Sequence, residues 1–266
     1  MFTDFGIQKS TNFLIFGFFP DFWIFYWFLD FLRYLWKFNK ICCFFLLFDV
    51  FLHFVLIFLK IDLRSQLGRN FDISEMLPMV KWIAAFHATF MTHPITDLWE
   101  HGGYWDHVKR NPKSDAGWHA PKTDLEKELV KHAAQLHAKV SSCKFNVLIH
   151  GDPKIENFCF SPDQKTAAGL DYQFVGHGPG VKDLYYLITS CCNDENVIEK
   201  IIAAYFGYLR EFLPNFAHFS ALEAEWRALW PFVVADYERF LLGRYYTHYK
   251  RTEYSTLICK TALEKL

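Results

Sequence analysis

The sequence predicts a mainly helical α+β fold over residues 61–266, with one compact hairpin, behind an apolar segment at residues 1–60. Three observations carry this reading. Seventeen of the 30 Phe but only 9 of the 57 charged residues fall in the first 60 positions, so composition changes near residue 60. From residue 61 onward, apolar residues recur at the helical period in several long runs. Between residues 145 and 174 that period gives way to short runs bounded by turn residues, which reads as strands.

The overall composition excludes several classes. With 52% apolar residues and a net charge of −1, the chain has ample surface to bury and is not a disordered one. Twenty-eight basic against 29 acidic residues leave no electrostatic footprint for nucleic acid. The seven cysteines are odd in number and contain no Cys-x-x-Cys pair. They read as buried reduced thiols, which suits a cytoplasmic location for residues 61–266.

Within residues 1–60 there are two apolar stretches. Residues 12–29 are interrupted by Pro20 and Asp21, and residues 41–59 hold Asp49 and His53. The second is long enough to cross a bilayer as a helix. Asp49 near its centre would cost about 2.5–3.5 kcal/mol there. Arg33, Lys37 and Lys40 precede it and Lys60, Arg64 and Arg69 follow, so the flanks fix no orientation. A broken apolar run without a small-residue cleavage site is a poor signal peptide. Three readings stand open: a membrane hairpin or anchor through residues 12–59, a buried aromatic subdomain, or a non-coding-derived extension. The last follows because thymine-rich DNA translates mainly to Phe, Leu, Ile and Cys.

Past residue 61 the elements follow in order. Asp72 and Glu75 form a capping-box pattern ahead of a helix whose apolar face is Leu77, Val80, Ala84, Ala88 and Met91. A polar loop at 93–122 leads to a second capping box, Thr123 and Glu126, with Leu125, Leu129, Ala133 and Leu136 as its stripe. Strand-like runs follow at 145–149, 157–160 and 167–174, the last two joined by a turn at Ser161 to Lys165. Helices are expected at 182–193, 195–212, 219–243 and 253–266, the third carrying Trp226, Trp230, Tyr237 and Phe240 as core or pocket wall.

Polar residues concentrate in the hairpin region, which reads His150-Gly-Asp152-Pro-Lys154-Ile-Glu-Asn157 and then Asp171-Tyr-Gln. An Asp, an Asn five positions later and a second Asp at a strand end can converge from one loop and its neighbouring strand. In phosphoryl transfer such a set places a proton acceptor beside two magnesium ligands. Each residue also has a structural reading. Asp152 could cap its own loop, His150 reads better as a brace than as an acid or base, and Asp183 would cap a helix or brace the loop. Residues 176–180 (Gly-His-Gly-Pro-Gly) read as a turn, because Val181 breaks the dinucleotide-binding glycine pattern. His101, His107, His119, His132 and His137 lack metal-ligand spacing, so no metal cluster is expected of them.

Three stretches, HGDPKIENFCFS, AGLDYQFVGHGPGVKDLYYLITSC and EWRALWPFVVADYERFLLG, resemble the choline-kinase-like branch of the aminoglycoside phosphotransferase superfamily, which includes the ecdysteroid-kinase-like proteins. FHATFM at 86–91 resembles that branch's first C-lobe helix, and residues 61–68 its hinge. The resemblance covers roughly residues 61–266 and implies a protein-kinase-like C-lobe. It implies ATP and Mg2+ as cofactors and a small-molecule hydroxyl as acceptor. By the same resemblance Asp152 is the base, Asn157 and Asp171 are the magnesium ligands, and Lys154 contacts the transferred phosphate. The nucleotide lobe of such kinases needs a glycine-rich loop and a Lys–Glu pair. Residues 1–100 contain only Gly6, Gly17 and Gly68, and no Glu precedes Glu75. The expectation is therefore a lobe whose N-terminal partner is missing or replaced by the Phe-rich segment. The alternatives to an ATP-dependent phosphotransferase are an inactive truncated kinase-like protein and a membrane-anchored binding protein.

Overall fold

The computed structural model describes residues 71–92, 98–108, 110–111, 118–192, 194–244 and 250–266. The chain divides into two units, Met1–Ile61 and Asp62–Leu266, and every described residue lies in the second. The apolar stretches 12–29 and 41–59 lie outside the described residues, and no described helix is long and apolar enough to cross a membrane.

Helix α1 spans Ile73–Thr92 and starts where the capping box places it. Asp72 Oδ1 accepts from Glu75 N at 3.0 Å, and Glu75 Oε2 accepts from Asp72 N at 3.0 Å. Its buried face is Met76, Met79, Val80, Ile83, Ala84, His87 and Ala88, so the expected Leu77 and Met91 lie at the margin of that face. The second capping box forms too, with Glu126 N donating to Thr123 Oγ1 at 3.2 Å. The stripe behind it is divided between α2 (Asp124–Lys131) and α3 (Ala133–Ser141), because the chain turns at His132.

Two antiparallel strand pairs follow: β1 (Val147–Ile149) with β4 (Gly176–Gly178), and β2 (Phe158–Phe160) with β3 (Ala167–Gly169). Strand β1 starts two residues later than expected because Glu225 takes the neighbouring backbone. Its carboxylate accepts from Lys144 N at 2.7 Å and Phe145 N at 2.8 Å, and Trp226 Nε1 donates to Phe145 O at 2.8 Å. The expected strand 167–174 ends at Gly169, because Asp171 adopts a left-handed φ of 63°. Residues 176–178, expected as a turn, form β4. Glycine serves there because the backbone of Gly102 lies against Gly176, and a Cβ would meet its nitrogen at 2.7 Å.

Helices α4 (Val181–Cys191), α5 (Glu195–Phe212), α6 (Phe219–Arg244) and α7 (Glu253–Glu264) complete the unit. Helix α1 packs on α5, β1 and β3, while α6 packs on α3, α4 and α7. Trp226, Trp230, Tyr237 and Phe240 are all buried in the core. The five described cysteines are free thiols.

Arg251 ties α2 to α6, reaching Glu126 Oε1 at 3.3 Å and Glu238 Oε2 at 3.4 Å. Burial outweighs this partner and pushes the Glu238 carboxyl from the ordinary 4.5 to about 7. The folded chain then binds more protons than the unfolded chain between those values, so this group's contribution to stability falls as pH rises from 4.5 to 7. Glu238→Gln is expected to remove that fall. Urea midpoints at pH 5 and pH 7.5, wild type against variant, isolate it from the histidines, and equal pH dependence in both proteins would refute it.

Candidate active site

The loop after β1 carries His150, Gly151, Asp152, Lys154 and Asn157, and Asp171 follows the end of β3. Two hydrogen bonds sew loop and strand end together. Leu170 N donates to Asn157 O at 2.8 Å, and His150 Nε2 meets Leu170 O at 2.8 Å. The charges of Asp183, Asp152 and Asp171 all act on the His150 ring. Burial nevertheless dominates and lowers the pKa of His150, so the ring is neutral at pH 7. With Nε2–H donating to Leu170 O, Nδ1 is left to accept from Asp152 N at 3.3 Å. Tyr172 packs beside the ring at 4.9 Å.

Asp152 is 2% exposed. Its Oδ2 accepts from Asn157 Nδ2 at 3.2 Å and lies 3.2 Å from Lys154 Nζ. Its Oδ1 is buried with no hydrogen-bond partner among the described residues. Asn157 Nδ2 also donates to Asp152 O at 2.7 Å, which fixes the amide and leaves its Oδ1 as the acceptor atom. Gln173 Nε2 donates to Asp171 Oδ2 at 3.2 Å, and Asp171 is half-buried. The left-handed φ at Asp171 suits a short polar side chain.

Asp183 lies in the first turn of α4 rather than ahead of it, and its carboxylate turns toward the loop. Oδ2 accepts from His150 N at 2.6 Å and Oδ1 from Gly151 N at 2.9 Å. His87 Nε2, from α1, meets Oδ2 at 3.1 Å, and its Nδ1 meets the Tyr205 hydroxyl of α5 at 2.8 Å. Three helices thereby converge on two loop amides. Gly151 has φ 84°, and a Cβ there would lie 2.1 Å from Phe174 O, so no other residue fits without backbone movement.

Sequence reasoning did not assign His87 or Tyr205. The signal for His87 was a polar residue on the apolar stripe of α1; Tyr205 offered none. His101, His107 and His137 do come together, with ring centroids 5.2 Å and 5.8 Å apart around His137. Among the described residues no group of three or more His, Cys, Asp or Glu is arranged to hold a metal ion.

Residues 106–218 match the family model of the ecdysteroid kinase-like family. No curated protein matches the chain. Among solved structures, amicoumacin kinase hAmiN in complex with AMP-PNP, Ca2+ and Ami is similar at 10% identity and a TM-score of 0.41, over 74% of this chain and 62% of that one. The microcompartment-associated aminopropanol kinase is similar at 15% identity and a TM-score of 0.41, over 73% of this chain and 60% of that one. The chain thus spans about three fifths of the length of these structures. Residues 106–218, which hold Asp152, Asn157, Asp171 and Asp183, thus resemble the ecdysteroid kinase-like family.

Proposed function

We propose that residues 61–266 are the acceptor-side lobe of a small-molecule phosphotransferase, distinct from residues 1–60, that transfers the γ-phosphoryl group of ATP to a substrate hydroxyl. One observation carries this reading: Asp152 presents a buried Oδ1 with no hydrogen-bond partner among the described residues, the Tyr186 hydroxyl acting on the carboxylate from nearby, while Asn157 and Lys154 hold its other oxygen. A carboxylate oxygen so placed can accept the proton of an attacking hydroxyl. Lys154, whose Nζ lies 3.2 Å from Asp152 Oδ2, would meet the transferred phosphate. His150 and Asp183 hold the loop and take no part in proton transfer.

Asn157 Oδ1 and the Asp171 carboxylate are hard oxygen donors. A pair of protein donors completed by phosphate oxygens is the usual way Mg2+ is held, without a cage of its own. They fit that ion, which when bound balances the charge of the transferred phosphoryl group. The expected result is Mg2+-dependent ATP binding by the purified chain, measured by calorimetry and lost in Asp171→Ala. No binding at millimolar ATP would sink this reading.

A second reading is a chain that keeps this lobe without turnover. It is favoured by the sequence of residues 1–100, which has only three glycines and no Glu before Glu75, so it spells no phosphate-covering loop and no Lys–Glu pair. Phosphoryl transfer from ATP to an alcohol acceptor, assayed with Mg2+, separates the two: its absence where ATP still binds favours the second.

A further inference from the structure

Lys250, in the connection between α6 and α7, is 6% exposed, and its ammonium lies in an aromatic corner. Nζ is 4.3 Å from the Tyr186 ring centroid and 6.0 Å from that of Tyr237. The two rings meet edge to face at 5.2 Å, with Trp105 packed behind Tyr186 at 5.0 Å. The negative faces of such rings attract a cation, most strongly where water is excluded.

The corner adjoins the loop of Asp152, since α4, which carries Tyr186, packs on the turn at Ile155–Asn157. Glu156 and Asp152 both act on Lys250 through their charges, as does Lys154 with the opposite sign. Tyr186 in turn feels the charge of Asp152. Glu156 Oε2, like Asp152 Oδ1, is buried with no hydrogen-bond partner among the described residues. Among the described residues, two carboxylates, Asp152 and Glu156, thus act on Lys250 against one ammonium group, Lys154, so removing the Lys250 charge leaves the carboxylates in excess. Burial alone would favour loss of the Lys250 proton, and it lowers the pKa from 10.5 to about 8, which still leaves the side chain charged at pH 7.

These walls would attract a small organic cation, but the chain fills them with its own. We propose that Lys250 is a specificity-determining residue: its ammonium occupies the Tyr186–Tyr237 corner beside Asp152, so the acceptor bound there carries no positive charge. The inference rests on the reading of Asp152 as the group that meets the acceptor hydroxyl. Deleting the lysine side chain beyond Cβ leaves net negative charge, aromatic walls and a vacated volume matching n-propylammonium, atom for atom.

Binding of n-propylammonium and of the neutral 1-propanol to wild type, Lys250→Ala and Lys250→Ser tests it, followed by calorimetry. Wild type is expected to bind neither saturably. The variants are expected to bind n-propylammonium roughly tenfold or more tightly than 1-propanol. Adding Tyr186→Leu is expected to erase that preference. Equal binding of both probes by the variants would mean a vacated hole without cation selection, and saturable n-propylammonium binding by wild type would mean an open site. Either result overturns the proposal. If neither variant folds, even with n-propylammonium present, Lys250 is a structural residue and the proposal falls. The readout needs neither nucleotide nor turnover, so its failure is distinguishable from failure of the phosphotransfer reading, which the ATP titration and the transfer assay test.

Discussion

Asp183→Ala is expected to cost the folded unit about 3–5 kcal/mol, the range for removing one partner of a fully buried polar cluster. Asp183 and His87 are both 0% exposed, and the carboxylate is the acceptor for His150 N, Gly151 N and His87 Nε2. Each donor left unsatisfied in the interior costs on the order of 1–3 kcal/mol, and water entering the vacated space recovers part of that. Asp183→Asn keeps one acceptor oxygen but turns an amide N–H toward a backbone N–H, so an intermediate loss is expected. Urea denaturation followed by tryptophan fluorescence measures both variants. A loss below about 1 kcal/mol for Asp183→Ala would show that the loop amides are held by something other than this carboxylate.

The second large effect is expected at Arg239, 1% exposed and held on three sides. Nε donates to Asp236 Oδ1 at 3.0 Å, Nη1 to Arg110 O at 2.7 Å and Nη2 to Trp105 O at 2.8 Å. Arg239→Met keeps most of the volume but leaves Asp236, itself 1% exposed, as a buried carboxylate without its cation. Its Oδ2 already has no hydrogen-bond partner among the described residues. The expected cost is again about 3–5 kcal/mol. The double variant Asp236→Leu with Arg239→Met should be more stable than Arg239→Met alone, because neither charge then stays buried unpaired. A double-mutant cycle by denaturation checks this, and strict additivity of the two single losses would contradict it.

What the sequence made legible was local. Both helix starts, at Asp72 with Glu75 and at Thr123 with Glu126, rest on contacts three residues apart, and both form. Helix α5 starts after Asp194 as its spacing requires, since that carboxylate accepts from Asn196 N at 2.9 Å. Asp152, Asn157 and Asp171 were singled out because one short loop and one strand end bring them near each other, whatever the rest of the chain does. Hidden were the contributions from far along the chain. Tyr205 reaches His87 across 118 residues, and Trp226 reaches Phe145 across 81. Strand β4 was hidden for a different reason. Its glycines reflect the close approach of the backbone at residues 99–102, and in sequence such glycines are indistinguishable from turn residues. Lys250 carries no motif at all, and only the packing of α4 against α6 reveals the rings around it.

The backbone at Asp171 bears on how this chain would decay if selection for turnover lapsed. With φ at 63°, the position accepts Asp, Asn or Gly readily and nearly everything else at a cost, whether or not any chemistry happens there. Mutational drift would therefore be filtered at 171 long after activity had ceased to matter. Lys154 is under no such constraint, since its side chain is 35% exposed and its φ is an ordinary −75°. In a line of descent that has abandoned phosphoryl transfer, the lysine should erode first and the aspartate last, so an aspartate at 171 is the poorer witness to a working site.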